Sequence, residues 1–214
     1  MGIGPDIADV LDELGTLVTI IKHDGSGNTQ EYIDYEVKIE ANSPFLTQYM
    51  VDCTLRYNTV AVPGDIIRFD DDDTYYILTA GNKTRFEQSV VTVEGILYRC
   101  NMIVDVKRLG TASRDSDYNL VQNWIDVVID EPVLLTGSIE YYPMDDRDYA
   151  KISTTEDNLH ISGNIGLRVG DRIERQDGID SSSGVTPQRW EVKGIAKYRL
   201  NNVSIVRVAE DTRE

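Results

Sequence analysis

The chain has 214 residues, of which 37 are Asp or Glu and 21 are Lys or Arg, so its formal net charge is −16. Proteins that bind nucleic acid through phosphates need clustered basic residues, and this balance argues against such a binder and against attachment to an anionic membrane surface. The length suits one large or two small domains, and no apolar run approaches the ~20 residues that span a bilayer.

The first segment predicts a short amphipathic helix. Pro5 suits the first helical turn, and Gly15 suits the position just after the last. Its apolar residues follow helical spacing: Ile3, Ile7, Val10, Leu11 and Leu14. A helix this short is not stable alone, so we expect it to dock on its own sheet or on another subunit. The segment is acidic and lacks the basic and apolar regions of a secretory signal peptide.

Strand patterns fill the rest of the first half. Residues 31–40 alternate between apolar and polar side chains, as a half-buried strand does. Residues 62–69 and 74–78 predict a hairpin whose turn is the acidic run Asp70–Asp73. Further strand patterns follow in residues 86–102, so we predict a β module that includes the helix and ends near residue 105.

The second half predicts another β module. Residues 108–117 are polar and lack strand periodicity, which is typical of a linker or a long loop. Strand patterns resume afterwards, and residues 177–188, with Gly, Ser and Pro, predict a long flexible loop. We therefore divide the chain into residues 1–105 and 106–214. The predicted fold is mainly β, with two small β-barrel or β-sandwich modules and a short N-terminal α-helix.

A weak internal echo links the halves. Residues 62–69 and 74–78 read as a Gly-Asp turn, a strand, a polar turn and an aromatic-bearing strand. Residues 168–175 and 188–192 read the same way across a longer loop. Hairpins of this kind build small twisted sheets and barrels, so the echo favours two related modules.

The potentially reactive residues form no catalytic pattern. His23 precedes a glycine turn and His160 lies in a strand-like run, and the motifs of serine hydrolases, zinc peptidases and nucleotide-binding loops are missing from the sequence. We predict that the protein is not an enzyme and assign no catalytic, cofactor-binding or metal-ligating residue. Cys53 and Cys100 lie among apolar neighbours, which favours buried thiols and leaves a disulfide as the alternative.

Two other kinds of site are weighed. Asp70–Asp73 invites a calcium interpretation, but four consecutive acids in a turn cannot all face one ion, and a solvated hairpin tip is favoured. The segment from Asp24 to Asn28 resembles the opening of an EF-hand loop, yet Thr29 and Tyr35 stand where that loop needs Gly and Glu. The strand aromatics could form either a sugar-binding platform or part of the sheet core, and we favour the core. These residues are Tyr75, Tyr76, Trp124, Tyr141, Tyr142 and Trp190.

Two segments resemble those of a known family. They are residues 1–16, M-G-I-G-P-D-I-A-D-V-L-D-E-L-G-T, and the segment Gly95–Asn101, which follows a Gly-Asp hairpin. They resemble small structural proteins of tailed bacteriophages that are encoded near the head–tail joining region. The second half, with Gly170–Ile173, Trp190–Val192 and the terminal Glu210–Arg213, is similar to head-closure and neck proteins with β-barrel cores. Many of those proteins are closer in size to one domain than to two. The resemblance therefore leaves open whether this chain is an adaptor, a stopper or a tail terminator.

The resemblance implies a virion protein, made in the host cytoplasm, that forms a ring in the neck by self-association. Such rings contact portal or adaptor and tail proteins and continue the DNA channel, where an acidic wall would let DNA pass without binding it. The alternative is a carbohydrate- or receptor-binding β module of a tail or baseplate. We expect no cofactor and no membrane partner.

Overall fold

The computed structural model describes residues 3–37, 49–114, 116–137, 156–176 and 187–213. The first half contains the helix and six strands: α1 (Ile3–Leu14), β1 (Thr16–Ile21), β2 (Asn28–Val37), β3 (Met50–Arg56), β4 (Ile66–Phe69), β5 (Tyr75–Phe86) and β6 (Ser89–Arg99). The second half contains the other strands: β7 (Met102–Leu109), β8 (Ser113–Arg114), β9 (Leu120–Val121), β10 (Trp124–Gly137), β11 (Glu156–Ser162), β12 (Arg172–Arg175), β13 (Arg189–Leu200) and β14 (Val203–Glu210).

The strands close into two six-stranded antiparallel barrels with the same connectivity. The first barrel runs β1-β2-β3-β6-β5-β4 around its circumference, and the second runs β7-β10-β11-β14-β13-β12. Taken in chain order, the strands of the second barrel therefore match those of the first one by one, with the small β8–β9 ribbon inserted after its first strand. The predicted fold class of two β modules with a short helix is confirmed, and both modules are barrels.

The match extends to single residues. Gly64 and Gly170 both adopt positive φ, 98° and 91°, in the turn before β4 and β12. Their amides bond to the carbonyls of Leu78 and Val192, at equivalent places in β5 and β13. Each of those strands has a register irregularity directly after that residue. The sequence echo therefore marks a complete repeat of the barrel.

Each barrel has its own apolar core, because alternate strand residues point inward. In the first barrel the core side chains include Val18, Ile33, Leu55, Ile67 and Leu97. In the second they include Val104, Val133, Ile161, Ile173 and Val206. Two separate core clusters of this kind divide the described residues into two structural modules.

The boundary between the barrels lies between Arg99 and Met102, since β6 belongs to the first barrel and β7 to the second. The division predicted at residue 105 falls inside β7. The polar stretch 108–117 contains the end of β7, strand β8 and the first part of the turn toward β9, apart from residue 115, which is outside the described residues. Of the predicted loop 177–188, only Pro187 and Gln188 are described.

Helix α1 docks through small residues instead of through most of its predicted apolar positions. Its buried residues are Gly4, Ala8 and Leu11, whereas Ile3, Val10 and Leu14 are exposed, Leu14 by 82%. Gly4 allows the helix to approach closely, since a Cβ there would lie 3.0 Å from the Val90 carbonyl oxygen and 3.2 Å from the Tyr57 ring. Of its five predicted apolar residues, only Leu11 is buried and Ile7 is partly buried, and the other three face outward.

Candidate functional site

His23 belongs to a structural anchor. Its Nδ1 lies 2.7 Å from Oδ1 of Asp65, and its backbone amide donates to the same oxygen. Asp65 is fully buried and also accepts from Lys22 Nζ at 2.6 Å and from the Val62 amide at 2.9 Å. The carboxylate therefore ties the end of β1 to the turn before β4, and its bonds are all used within the barrel.

Asp171 occupies the equivalent position in the second barrel. It accepts from the Arg168 amide at 2.8 Å and takes two bonds from Arg108, through Nε at 2.8 Å and Nη2 at 2.7 Å. Lys107 of β7 and Ile21 of β1 pair with equivalent residues of β12 and β4. The next residue, Arg108, therefore corresponds to Lys22 of the first barrel. The Gly-Asp signal in the sequence thus identifies a repeated buried carboxylate and its cation.

His160 lies on the outer side of β11, buried between the two barrels. Its ring centroid is 5.5 Å from that of Tyr98 on β6. Burial lowers the pKa of His160 to about 4, so the imidazole is neutral at pH 7. A neutral ring buried in this interface contributes to the packing of the barrels. Its environment differs from that of a catalytic base, which is exposed to its substrate.

The two cysteines are not paired with each other. Cys53 points into the first barrel, and burial raises its pKa to about 12. Cys100 is half-buried after β6, and burial together with the nearby charge of Glu131 raises its pKa well above the ordinary value. Both are therefore thiols and not thiolates at neutral pH. The prediction of a buried thiol is confirmed for Cys53, whereas Cys100 is only partly buried.

The acidic run Asp70–Asp73 is the β4–β5 turn, as predicted, but its first member is part of the framework. Asp70 accepts from Thr19 Oγ1 at 2.8 Å and from Gln30 Nε2 at 3.1 Å, so it links β1 and β2 to the turn. Asp71, Asp72 and Asp73 are exposed. Within the described ranges, no three His, Cys, Asp or Glu side chains converge so as to hold a metal ion.

The aromatic candidates do not form one surface. Tyr76 and Trp190 occupy equivalent places in the two cores. Trp124 lies beneath two guanidinium groups, with Arg172 at 3.9 Å and Arg213 at 5.1 Å from its ring. Tyr141 and Tyr142 fall outside the described residues. The favoured prediction of sheet core is therefore confirmed for Tyr76 and Trp190, whereas Trp124 packs against guanidinium groups and Tyr75 is only partly buried.

The ions around Arg172 form a network that sequence reasoning missed. Arg172 is 2% exposed, and its Nε donates to Asp211 Oδ2 at 2.8 Å. Arg213 bonds both oxygens of Asp211, so the C-terminal segment is fastened over β12. Glu174, beside Arg172 on β12, accepts Lys107 at 2.6 Å and Arg189 at 3.0 Å. Only the fold brings these distant residues together, and no local pattern marks them.

The barrels meet through different faces. The first barrel uses the outer side of β4, β5 and β6, where Ile66, Ile77 and Tyr98 are buried. The second uses the outer side of β10, β11 and β14, where Leu134 and His160 are fully buried. Asn164 and Asn202 donate to the carbonyls of His23 and Pro63 at the rim, at 3.1 and 2.9 Å. The contact is apolar at its centre and hydrogen-bonded at its edge.

Each barrel also has a charged outer face. On the first, β2, β3 and β6 present a groove of about 340 Å³ whose carboxylates we call the acidic face: Asp34, Glu36, Asp52 and Glu94. On the second, the outer side of β13 and β14 carries both signs of charge, and we call it the mixed face: Arg189, Glu191, Lys193 and Arg207. Lys193 is paired with Glu191 at 2.6 Å and Arg189 with the buried Glu174 at 3.0 Å. These two faces are the candidate functional surfaces.

Comparison with protein-family models, with curated proteins and with solved structures finds no match for this chain. By its fold the molecule belongs to the class of tandem six-stranded antiparallel barrels. Within the described residues, no helix is long and apolar enough to cross a bilayer.

Proposed function

We propose that this chain is a structural virion protein of a tailed bacteriophage that forms a ring in the neck, joining head to tail. The proposal starts from the resemblance of residues 1–16 and Gly95–Asn101. Of these segments, residues 3–16 contain α1 and the first residue of β1, and Gly95–Asn101 contains the end of β6 and the connection into the second barrel. Asn101 in that connection makes hydrogen bonds with the backbone of Val133 and Leu135. The segment Gly95–Asn101 is therefore also the place where the two barrels are joined.

The observation that carries the proposal is the barrel–barrel contact. It uses β4-β5-β6 of the first repeat and β10-β11-β14 of the second, the counterparts of β2-β3-β6, so the two faces have only the position of β6 and β14 in common. A contact between different faces of equivalent units leaves one face of each kind uncovered, and contacts of this type build rings when the rotation closes and open filaments when it does not. A ring protein of the neck needs this property.

The charge fits a channel wall. The chain carries 16 more acidic than basic charges, and the acidic face, the outer side of α1 and the Asp70–Asp73 turn are on its surface. Acidic groups that face DNA repel its phosphates, so DNA moves past the wall without being bound. Portal or adaptor proteins on one side and tail proteins on the other are the further partners we propose.

Electron microscopy of virions tests the location. An epitope tag on an exposed loop, such as the β5–β6 turn at Glu87 and Gln88, would be decorated with gold-labelled antibody. We expect label at the neck. Label at the baseplate or fibre tips would instead favour a carbohydrate- or receptor-binding module, and virions without label at any position would contradict a virion role. An untagged virion is the control.

A further inference from the structure

We propose that Glu131 makes the second barrel sensitive to pH, because its carboxyl group points into the barrel and lacks the donor that holds its counterpart in the first barrel. The protonated group keeps β10 closed on β7, and loss of the proton loosens this pairing. The property belongs to the barrel itself and does not depend on a location in the neck.

The register places Glu131 on the inner side of the second barrel. Directly opposite it on β7 is Val104, which is fully buried in the core. Directly opposed residues of antiparallel strands have their side chains on the same face of the sheet, so Glu131 also points inward. The pairing of β10 with β7 is irregular just before Glu131, where Asp130 adopts a positive φ of 57°. The glutamate therefore follows a bulge, a feature that changes the direction of nearby side chains.

The carboxyl group of Glu131 is not satisfied inside the barrel. Its Oε1 is buried, and the described residues provide no hydrogen-bond partner for this atom. Burial raises the pKa of Glu131 from its ordinary value of 4.5 to about 7. Near neutral pH the group is therefore present in both its protonated and its ionised form.

The first barrel has a glutamate at the equivalent position. Val18 on β1 is the counterpart of Val104, since the two residues pair with matching residues of β4 and β12. The residue opposite Val18 is Glu31, as Glu131 is opposite Val104. The repeat therefore contains an inward-pointing glutamate twice, and the surroundings of the two can be compared.

Two donors hold Glu31, which is 8% exposed. Its Oε2 accepts a hydrogen bond from Thr59 Oγ1 at 2.6 Å, and its Oε1 accepts one from the Val60 amide at 3.0 Å. Both donors belong to the connection between β3 and β4. Each oxygen of the buried carboxylate is thus satisfied within the first barrel.

The corresponding connection of the second barrel joins β11 to β12 and has the same length. In this connection the Gly166 carbonyl accepts from Arg108 Nη2 at 2.9 Å. In the first barrel the Val60 carbonyl accepts from Lys22 Nζ at 2.6 Å. Since Arg108 corresponds to Lys22, Gly166 corresponds to Val60, and the two connections match residue by residue.

One difference between the connections removes the hydroxyl donor. The residue before Gly166 is Ile165, which stands at the place of Thr59. Its side chain packs against the core of the second barrel and has no group that can donate. Ionised Glu131 therefore keeps a buried oxygen that the described part of the barrel does not satisfy. This costs stability, and a proton on the carboxylate restores it.

The other ionisable groups on the elements around Glu131 are engaged or neutral. Cys100, before β7, is a thiol whose pKa is raised by burial and further by the charge of Glu131. His160 lies on the outer side of β11 and is neutral at pH 7. The remaining groups have partners: Asp105 with the Asp130 amide, Asp157 with Trp190, Lys107 with Asp126 and Glu174, and Arg108 with Asp171.

The sign of the pH dependence follows from the two protonation equilibria. The unfolded chain loses the Glu131 proton near pH 4.5 and the folded barrel loses it near pH 7. The stabilisation by the neutral carboxyl group is complete below pH 4.5 and is lost as the pH rises toward 7. Over that range the ratio of closed to open barrel falls by up to about 10-fold per pH unit.

Glu131→Gln tests the proposal, because the amide has the shape of the carboxyl group but cannot ionise. Amide hydrogen exchange of the full chain, followed by mass spectrometry, measures the protection of β7 and β10 separately from that of β1 and β2. We expect the ratio of protection in Glu131→Gln to that in wild type to rise at least about 10-fold in β7 and β10 between about pH 5 and 8. The matched control is Glu210→Gln, at an exposed carboxyl group of β14, for which this ratio should not change.

A second pair of variants tests the missing donor. Ile165→Thr introduces the hydroxyl that the first barrel has at this place, and Ile165→Val shortens the side chain without adding a hydroxyl. We expect protection of β10 to depend less on pH in Ile165→Thr than in Ile165→Val. Circular dichroism and thermal melting check that every variant folds.

Three results would overturn the inference. The first is a protection ratio of Glu131→Gln to wild type that stays constant with pH. The second is an equal pH dependence of Ile165→Thr and Ile165→Val, which would mean that the missing hydroxyl is not the cause. The third needs no variant: a Glu131 carboxyl carbon that titrates at its ordinary value in carbon-13 spectra of the wild-type protein.

Discussion

At the scale of single residues, the most informative side chains are the two buried aspartates. Asp65 and Asp171 each follow a glycine with positive φ and accept a backbone amide three residues earlier together with a cation. The glycine is required because the turn needs a left-handed backbone, and the carboxylate satisfies donors that the turn would otherwise bury. These residues hold each barrel closed at the turn before its fourth strand.

We predict that Asp65→Ala lowers the free energy of unfolding by about 3–5 kcal/mol, because it leaves Lys22 and the Val62 amide without their buried acceptor. Asp71→Ala, at an exposed position of the acidic turn, should change it by less than about 0.5 kcal/mol. Urea denaturation followed by circular dichroism measures both. Equal effects of the two substitutions would contradict the anchoring role.

His160 adds a dependence on pH. Its pKa is about 4 in the folded protein and close to 6.5 when unfolded, so between these values the unfolded chain binds the extra proton. Stability from the neutral ring is complete above pH 6.5 and is lost as the pH falls toward 4, at up to about 1.4 kcal/mol per pH unit.

The comparison of wild type with His160→Gln isolates this contribution from that of the many carboxylates. We predict that the difference in unfolding free energy between the two proteins shrinks as the pH is lowered from 7 to 4. Urea titrations at several pH values give that difference. A difference that stays constant with pH would show that His160 is not buried as a neutral ring.

At the scale of elements, α1 shows the limit of an apolar pattern. The spacing of its residues predicts the helix and its end at Gly15, whose amide bonds to the Leu11 carbonyl at 2.8 Å. The pattern covers a wide apolar arc, and nothing in it states which half meets the barrel. Gly4 and Ala8 decide this, because small residues let the helix axis approach β6.

Substitutions along α1 should therefore divide by face and not by hydrophobicity. We predict that Leu11→Ala costs about 2–4 kcal/mol of stability, since it leaves a cavity under the helix. Leu14→Ala, which removes the same atoms from an exposed site, should cost less than about 0.5 kcal/mol. Chemical denaturation of both variants checks this, and a larger loss for Leu14 would mean that the helix docks through its other face.

At the scale of the whole molecule, the chain is one barrel built twice and packed against itself through unlike faces. The two repeats differ where they meet other surfaces: Gly64 faces Asn202 of the second barrel, whereas a Cβ on Gly170 would have no atom within 4 Å. The same turn therefore has a local role in both barrels and an additional role in the contact of the first.

This difference gives a test of how strongly the barrels are coupled. We predict that Gly170→Ala costs about 1–2 kcal/mol, from the positive φ alone. Gly64→Ala should cost about 1–3 kcal/mol more, because its Cβ would stand 2.4 Å from that of Asn202 and would push the barrels apart. Urea unfolding of both variants measures the gap. Equal costs would show that the barrels are held independently of this turn.

The sequence by itself determined what depends on neighbours along the chain. It predicted the helix, the acidic β4–β5 turn, the β class and the presence of two modules, because spacing, turn residues and the repeated Gly-Asp phrase are local signals. It missed the boundary by a few residues, since the second barrel begins with β7 directly after Asn101 and no break in composition marks that place.

The tertiary structure alone decided which faces are covered. Trp124 and Arg172, or Tyr98 and His160, are far apart in sequence and meet only when the barrels close and pack. Likewise, three carboxylates of the acidic face are ordinary polar strand residues until the register places them at the counterparts of residues that the second barrel buries. Long-range packing, which no local pattern encodes, therefore decides how the charges behind the net value of −16 are divided between different surfaces of the molecule.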